Sequence, residues 1–500
     1  MRHPTLLDAI LHKRGWRRHE VFVTQLAHAG ARAAKHYDNQ RLARVRSVTR
    51  TTLGRWCAGT QEPRGDAATI VEFWLGHTVK ELLGPAPERE LVLARSLHDA
   101  SLAAAHRLDI RFDTSFLSVA APVPGTGGVW QLDGLRILDG TSVSVQMYEA
   151  SLQPDSVVIG PEDLEHLRYF TRSTRRALLL GSLGAQGADD LYALDAAHAR
   201  RQLAMPVQRL PIPMPYRLDE LTYALLWACL NLDDSLLADD SALQTELERL
   251  DFHLDQGRSA AARTAYSDLS QVGSLWLGSH ACAAFVERHL TAGDVSPVMW
   301  SRAQFGEQAA AWLLFRERHS LLRFMRDRSW GLQSDPGCAL CVPESAIHGS
   351  EPYERLLLLL MVALMESYGL TVWVCTEEDY AQLPEFHLTP DRRVIVADWL
   401  APEAVWNVES VDARGASDAF AQAVHHARTG TIAKGATPAE RIRALAEYLG
   451  LGQDWPRLVE RCRELGGYGT AGLLRARSRL IHTGEIDRVL RFLGEFDLAS

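Results

Sequence analysis

The chain has 500 residues, 47% of them apolar and 23% charged, with a formal net charge of −9. This composition excludes a disordered or low-complexity polymer, and the length exceeds what one hydrophobic core serves, so about three domains are expected. The longest apolar run, Leu356–Leu364, is far shorter than a bilayer needs and is flanked by Glu354, Arg355 and Glu366, so a buried helix is expected there and no membrane span.

The seven cysteines are odd in number and scattered, which argues against a disulfide framework. Asp8 interrupts the short apolar stretch near the start, so no signal peptide is read and a cytoplasmic location is expected. The charge is unevenly spread. Residues 1–64 hold 13 Lys or Arg against four acids, a balance of +9, which leaves −18 on the remainder. A basic head on an acidic body points to a polyanionic partner for the head.

In chain order, residues 1–84 read as helices. Leu6, Leu7, Ile10 and Leu11 form one apolar face, and Val21, Phe22, Leu26, Ala29 and Ala33 form another. "RLARV" is a brief candidate helix. Thr49 then caps a helix that runs to Ala58 and closes at Gly59. "PAPERE" reads as a hinge, after which residues 91–330 are expected to form a mostly helical body with a small strand-containing module near 109–160. Residues 331–500 read as an α/β segment near 335–410 followed by a helical tail, a sensor or dimerisation region. The fold class expected is therefore mainly α, with an N-terminal helix-turn-helix, a helical body and a small α/β segment.

The helix after Thr49 has two faces. Leu53, Trp56 and Cys57 fall together at i, i+3 and i+4, whereas Arg50, Thr51, Gly54 and Arg55 lie on the other side. Arginine donates two hydrogen bonds to guanine in the major groove, and a glycine lets backbone approach DNA closely. The stretch "TRTTLGRWCAGTQEPR" resembles the Cro/C1-type (XRE-like) helix-turn-helix family, with its capped start, Leu53, Trp56, Gly59 and Pro63. The resemblance implies that Arg50, Thr51 and Arg55 read bases and that Thr49, Thr60 and Arg64 contact the DNA backbone, with Arg46 beside them. Ala58 stands where the family has asparagine, and the preceding helix is short. The segments "HPTLLDAILHKRGW", "WACLNLDDSLLADD", "LWLGSHACAAF" and "PVMWSRAQFGEQAAAWLLF" resemble large regulators of high-GC soil bacteria.

Other constellations carry less. Asp233, Asp234, Asp239 and Asp240 could hold a cation, but such runs are more often solvated helix ends. Cys338 and Cys341 form a lone CxxC with no second ligand pair, so buried inert thiols are expected. Trp227, Trp276, Trp300 and Trp312 read as core. "GTGG" precedes strand-like residues instead of a helix, and no phosphate loop or nucleophile elbow is present. His280 and His319 have no evident partners in the sequence.

The expectation is a sequence-specific DNA-binding transcriptional regulator, homodimeric and not an enzyme, with no cofactor and no metal site. Its large remainder would sense an effector or contact a protein. Two alternatives stand beside it. One is an enzyme or nucleotide-binding sensor centred on 335–410, with Asp398 as its first candidate residue and a deep polar pocket at the carboxyl ends of the strands. The other is a protein-interaction scaffold whose head binds an acidic protein.

Overall fold

The computed structural model describes residues 5–84 and 126–496, apart from 14–15, 18, 38, 46–47, 76–77, 173–175, 184–189, 256, 291–296, 303–304, 330–336, 402 and 412–416. The chain divides into two compact units, Met1–Leu93 and Ala94–Ser500.

The first unit is helical. α1 (Leu6–Lys13), α2 (His19–His36), a single 3-10 turn (Leu42–Arg44), α3 (Arg50–Cys57), α4 (Asp66–Leu75) and α5 (Val79–Leu83) follow in order. Leu7, Leu11, Phe22, Leu26, Leu53, Trp56, Ile70 and Trp74 form its core. Trp74 stacks on Trp16 with centroids 5.1 Å apart and meets Phe22 at 5.6 Å. The Leu6 N–H donates to the Gly84 carbonyl at 3.0 Å, which joins the first helix to the last.

The second unit corrects the expected fold class. Among the described residues it holds thirteen strands in two mixed sheets, so it is not a helical body with a small α/β segment. The first sheet uses β1 (Thr126–Leu132), β2 (Thr141–Gln153), β3 (Ser156–Ile159), β4 (Ala177–Leu183), β5 (Asp190–Asp195) and β6 (Leu210–Pro213). Its order is β5-β4-β2-β3-β6, with β1 paired to β2. Two short helices, α6 (Leu164–Phe170) and α7 (Ala196–Leu203), fall between its strands in the chain. The second sheet runs β10-β9-β8-β11-β12-β13-β7, from β7 (Arg258–Ala262), β8 (Val298–Arg302), β9 (Gly337–Cys341), β10 (Thr371–Cys375), β11 (Phe386–Leu388), β12 (Val394–Asp398) and β13 (Ala404–Val411). β8, β9 and β10 are parallel, and the other pairs of this sheet are antiparallel.

Burial explains why the second sheet is apolar on both sides. Met299, Cys338, Leu340, Ile395 and Ala397 join the large core that also contains α8 (Glu220–Leu254), α9 (Gln271–His289), α10 (Gly306–Leu314) and α13 (Pro352–Ser367). Their strand neighbours Val298, Trp300, Ala339, Cys341, Val394 and Val396 face the opposite way, onto α14 (Ser417–Thr429). Successive side chains of a strand point to opposite faces, so both sets are buried only when helices cover both. The approach of α9 to β13 is close: a Cβ at Gly278 would sit 2.0 Å from the Val405 carbonyl oxygen.

Buried carboxylates tie the layers together. Glu307 of α10 accepts the backbone N–H groups of Leu135 (2.8 Å), Arg136 (2.9 Å) and Ile137 (2.7 Å), fixing the connection between β1 and β2. Glu385, before β11, is fully buried. It accepts from Arg318 Nη1 (3.0 Å), Ser301 Oγ (2.9 Å) and Trp399 Nε1 (2.5 Å). Arg318 belongs to α11 (Arg316–Ser329), and its guanidinium lies over the Trp399 ring at 3.9 Å. Burial pushes the Glu385 carboxyl up to about 7, against the opposing pull of Arg318.

Candidate nucleic-acid interface

α3 begins where Thr49, in extended conformation, turns its hydroxyl back to accept the Thr52 N–H at 3.2 Å. It ends at Gly59, whose φ of 70° lies in the left-handed region that glycine tolerates. The Thr5 hydroxyl donates to the Cys57 carbonyl at 2.7 Å, and His19 Nε2–H donates to the Val48 carbonyl at 2.6 Å. Those bonds, with Leu53, Trp56 and Cys57 buried in the core and Phe22 edge-on to Trp56 at 6.4 Å, fix how the helix is rotated.

That rotation leaves Arg50, Thr51 and Arg55 exposed on one face. Gly54 is between them, and a Cβ built there meets nothing within 4 Å, so no packing need explains a glycine at this position. Thr49, Thr60 and Arg64 are exposed as well. The Thr60 hydroxyl donates to the Arg55 carbonyl at 3.2 Å, which leaves its lone pairs free to accept. Arg46 lies outside the described residues. Two cations that the motif does not reach, Arg41 just before the 3-10 turn and Arg44 at its end, are also exposed. Their only signal in the sequence is the charge count. Among the described residues none of Arg41, Arg44, Arg50, Arg55 and Arg64 pairs with an acid, whereas Arg17 is engaged by Asp8 at 2.5 Å.

The element before α3 departs from the Cro/C1 pattern, being one 3-10 turn and not a full helix. This turn lies tight against α2: a Cβ at Gly30 would stand 2.8 Å from the Leu42 carbonyl oxygen. Comparison of the chain with protein-family models, with curated proteins and with solved structures finds no match. No helix among the described residues is long and apolar enough to cross a membrane.

The remaining candidates are used by the fold. Asp233 is buried inside α8, bound to Arg176 and to the N–H groups of Arg477 (2.9 Å) and Ser478 (2.7 Å). Asp234 takes the Thr141 hydroxyl and lies 3.6 Å from Arg176 Nε, and Asp239 takes Ser270 through its N–H (2.9 Å) and hydroxyl (2.6 Å). Asp240 meets Arg479 at 3.3 Å. These aspartates lie within a 35-residue helix and not at its end, and they act as anchors. Cys338 and Cys341 lie in β9, buried, with thiols pushed up, and Cys375 stands opposite Cys341 in the parallel register. Trp227, Trp276, Trp300 and Trp312 are core.

An open crevice of about 730 Å³ does lie beyond the carboxyl ends of β9 and β10. Its lining includes Glu344, in the short helix α12 (Glu344–His348), with Glu377 and Glu378 and no Lys or Arg, the wrong sign for a phosphate. Asp398 is not in it; it is buried and paired with Arg302 at 2.7 Å.

Proposed function

We propose that this chain is a sequence-specific DNA-binding transcriptional regulator, acting in the cytoplasm as a homodimer. In this reading α3 enters the major groove, Arg50, Thr51 and Arg55 reach base edges, and the Gly54 backbone lies close to the duplex. Thr49, Thr60 and Arg64 meet phosphates, with Arg41 and Arg44 adding to the positive face. The large second unit senses or self-associates. Two copies would place their recognition helices about 34 Å apart, one turn of DNA.

One observation carries the reading. A helix anchored inward by Leu53, Trp56 and Cys57 turns two guanidinium groups outward, with no acid among the described residues to neutralise them. Exposed, unpaired arginines around a glycine that packing does not demand suit a polyanion with a groove.

The test is selection from a randomised duplex pool with the full chain at low salt. A recovered inverted repeat is the expected result. Arg50→Ala and Arg55→Ala should each flatten the preference at one position of the half-site, by about 1–3 kcal/mol. No enrichment by the natural protein, or unchanged preference in both variants, overturns the proposal.

A further inference from the structure

The fold brings together three potential metal ligands from distant parts of the second unit. His319 comes from α11. After α15 (Pro438–Tyr448) and α16 (Trp455–Tyr468), His482 precedes α17 (Gly484–Gly494), and Glu485 lies in its first turn. One ligand atom from each lies within 4.8 Å of the other two.

Hydrogen bonding leaves one buried imidazole nitrogen free. His319 is fully buried, and its Nε2–H donates to the Trp312 carbonyl at 3.0 Å. That bond places the proton on Nε2 and leaves Nδ1 with a lone pair, and Nδ1 has no hydrogen-bond partner. An imidazole whose other nitrogen donates to a carbonyl is the usual arrangement of a metal-bound histidine. Glu485 is also buried. Its Oε1 lies 3.4 Å from Arg323 Nη1, and its Oε2 stands 3.8 Å from Arg488 Nε. The Tyr368 hydroxyl lies against this carboxylate as a hydrogen-bond partner. An unpaired buried polar atom carries a penalty, so the unpartnered Nδ1 of His319, in a cluster with a buried carboxylate and an exposed imidazole, calls for an occupant.

We infer that His319, His482 and Glu485 form a binding site for a divalent transition-metal ion of the zinc type. Two imidazoles and a carboxylate suit such an ion, and three protein ligands leave a fourth position for water or an exogenous group. Ligand atoms around tetrahedral zinc stand about 3.3 Å apart, so the three must draw together by about 1.5 Å at most. The partner with room to turn is His482: its side chain is exposed, while its backbone N–H is pinned to the Leu314 carbonyl at 2.8 Å. Arg323 and Arg488 oppose a dication, but their side chains are 42% and 39% exposed and water screens them. The site stands whether or not the first unit binds DNA.

The experiment titrates the tag-free full chain, stripped with chelator, with Zn²⁺ against a chromophoric competitor, and with Co²⁺ by visible absorption. One ion per chain and a tetrahedral Co²⁺ band are expected. His482→Ala removes an exposed side chain and Glu485→Gln is isosteric, so both should fold, as circular dichroism would verify. Each should weaken Zn²⁺ by more than the about 10–100-fold that loss of a second-shell partner brings. Absence of one-to-one binding in the natural protein, or natural affinity in both variants, overturns the inference.

Discussion

At the scale of single residues, the Glu385–Arg318 pair carries a measurable sign. The Glu385 carboxyl is raised from its ordinary 4.5 to about 7 in the folded chain, with burial the main cause. The folded state therefore keeps this proton where the unfolded state has lost it. Its contribution to stability is complete below 4.5 and declines as pH rises to about 7. Glu385→Gln has no proton to lose. Whatever it does to absolute stability, denaturant titrations from pH 4.5 to 7 should show its stability gaining on the natural chain by about 1–3 kcal/mol. Parallel curves would contradict the assignment. No sequence signal marks this pair, since 67 positions separate the two residues and only the packing of α11 on the second sheet joins them.

Among elements, α3 is the most legible. Its cap at Thr49, its closure at Gly59 and its buried triplet at i, i+3 and i+4 follow from local chemistry, and the helix occupies Arg50–Cys57. The strands β4 to β8 are not legible, and they interrupt a stretch expected to be mostly helical. "ALLLGSL" in β4 is buried on nearly every residue, so it has neither the alternation of a half-exposed strand nor a helical stripe. β8 is shorter still, at five residues, and likewise buried on both faces. Runs of this kind read the same as pieces of buried helix, and pairing across the chain decides between them. Gly54 tests α3 in two ways. Gly54→Ala should raise stability by about 0.5–1 kcal/mol, because a helical glycine gives up more backbone freedom than alanine and the methyl group meets open space. The same methyl group should weaken duplex binding in the proposed complex. Greater stability with unchanged DNA affinity, read by melting and gel shift together, would place the DNA elsewhere.

For the whole molecule, the charge balance of +9 on residues 1–64 and −18 on the rest is plain from the amino-acid order alone. That balance does not reveal which cations are spent internally. Arg17 is engaged by Asp8, whereas Arg64 is exposed. Arg64→Ala should weaken binding to every duplex alike and reduce the slope of log affinity against log salt by about 1. A loss confined to one sequence would give Arg64 a base-reading role instead. The metal ligands are equally hidden, since His319 and His482 lie 163 positions apart and neither segment carries a familiar spacing.

Asp233 sits in the middle of α8, yet two of its hydrogen bonds come from Arg477 and Ser478, some 244 positions later. Asp195 likewise donates its N–H to the Gly472 carbonyl at 2.9 Å. A ribosome making about 5–20 residues per second would take roughly 12–50 seconds to get from one partner to the other. Of the hydrogen-bonding partners Asp233 has in the folded chain, only Arg176 precedes it. Trimming the polypeptide before residue 477 should therefore leave a buried carboxylate short of partners in the middle of α8 and destabilise the second unit well upstream of the cut, which protection of α8 from proteolysis would check.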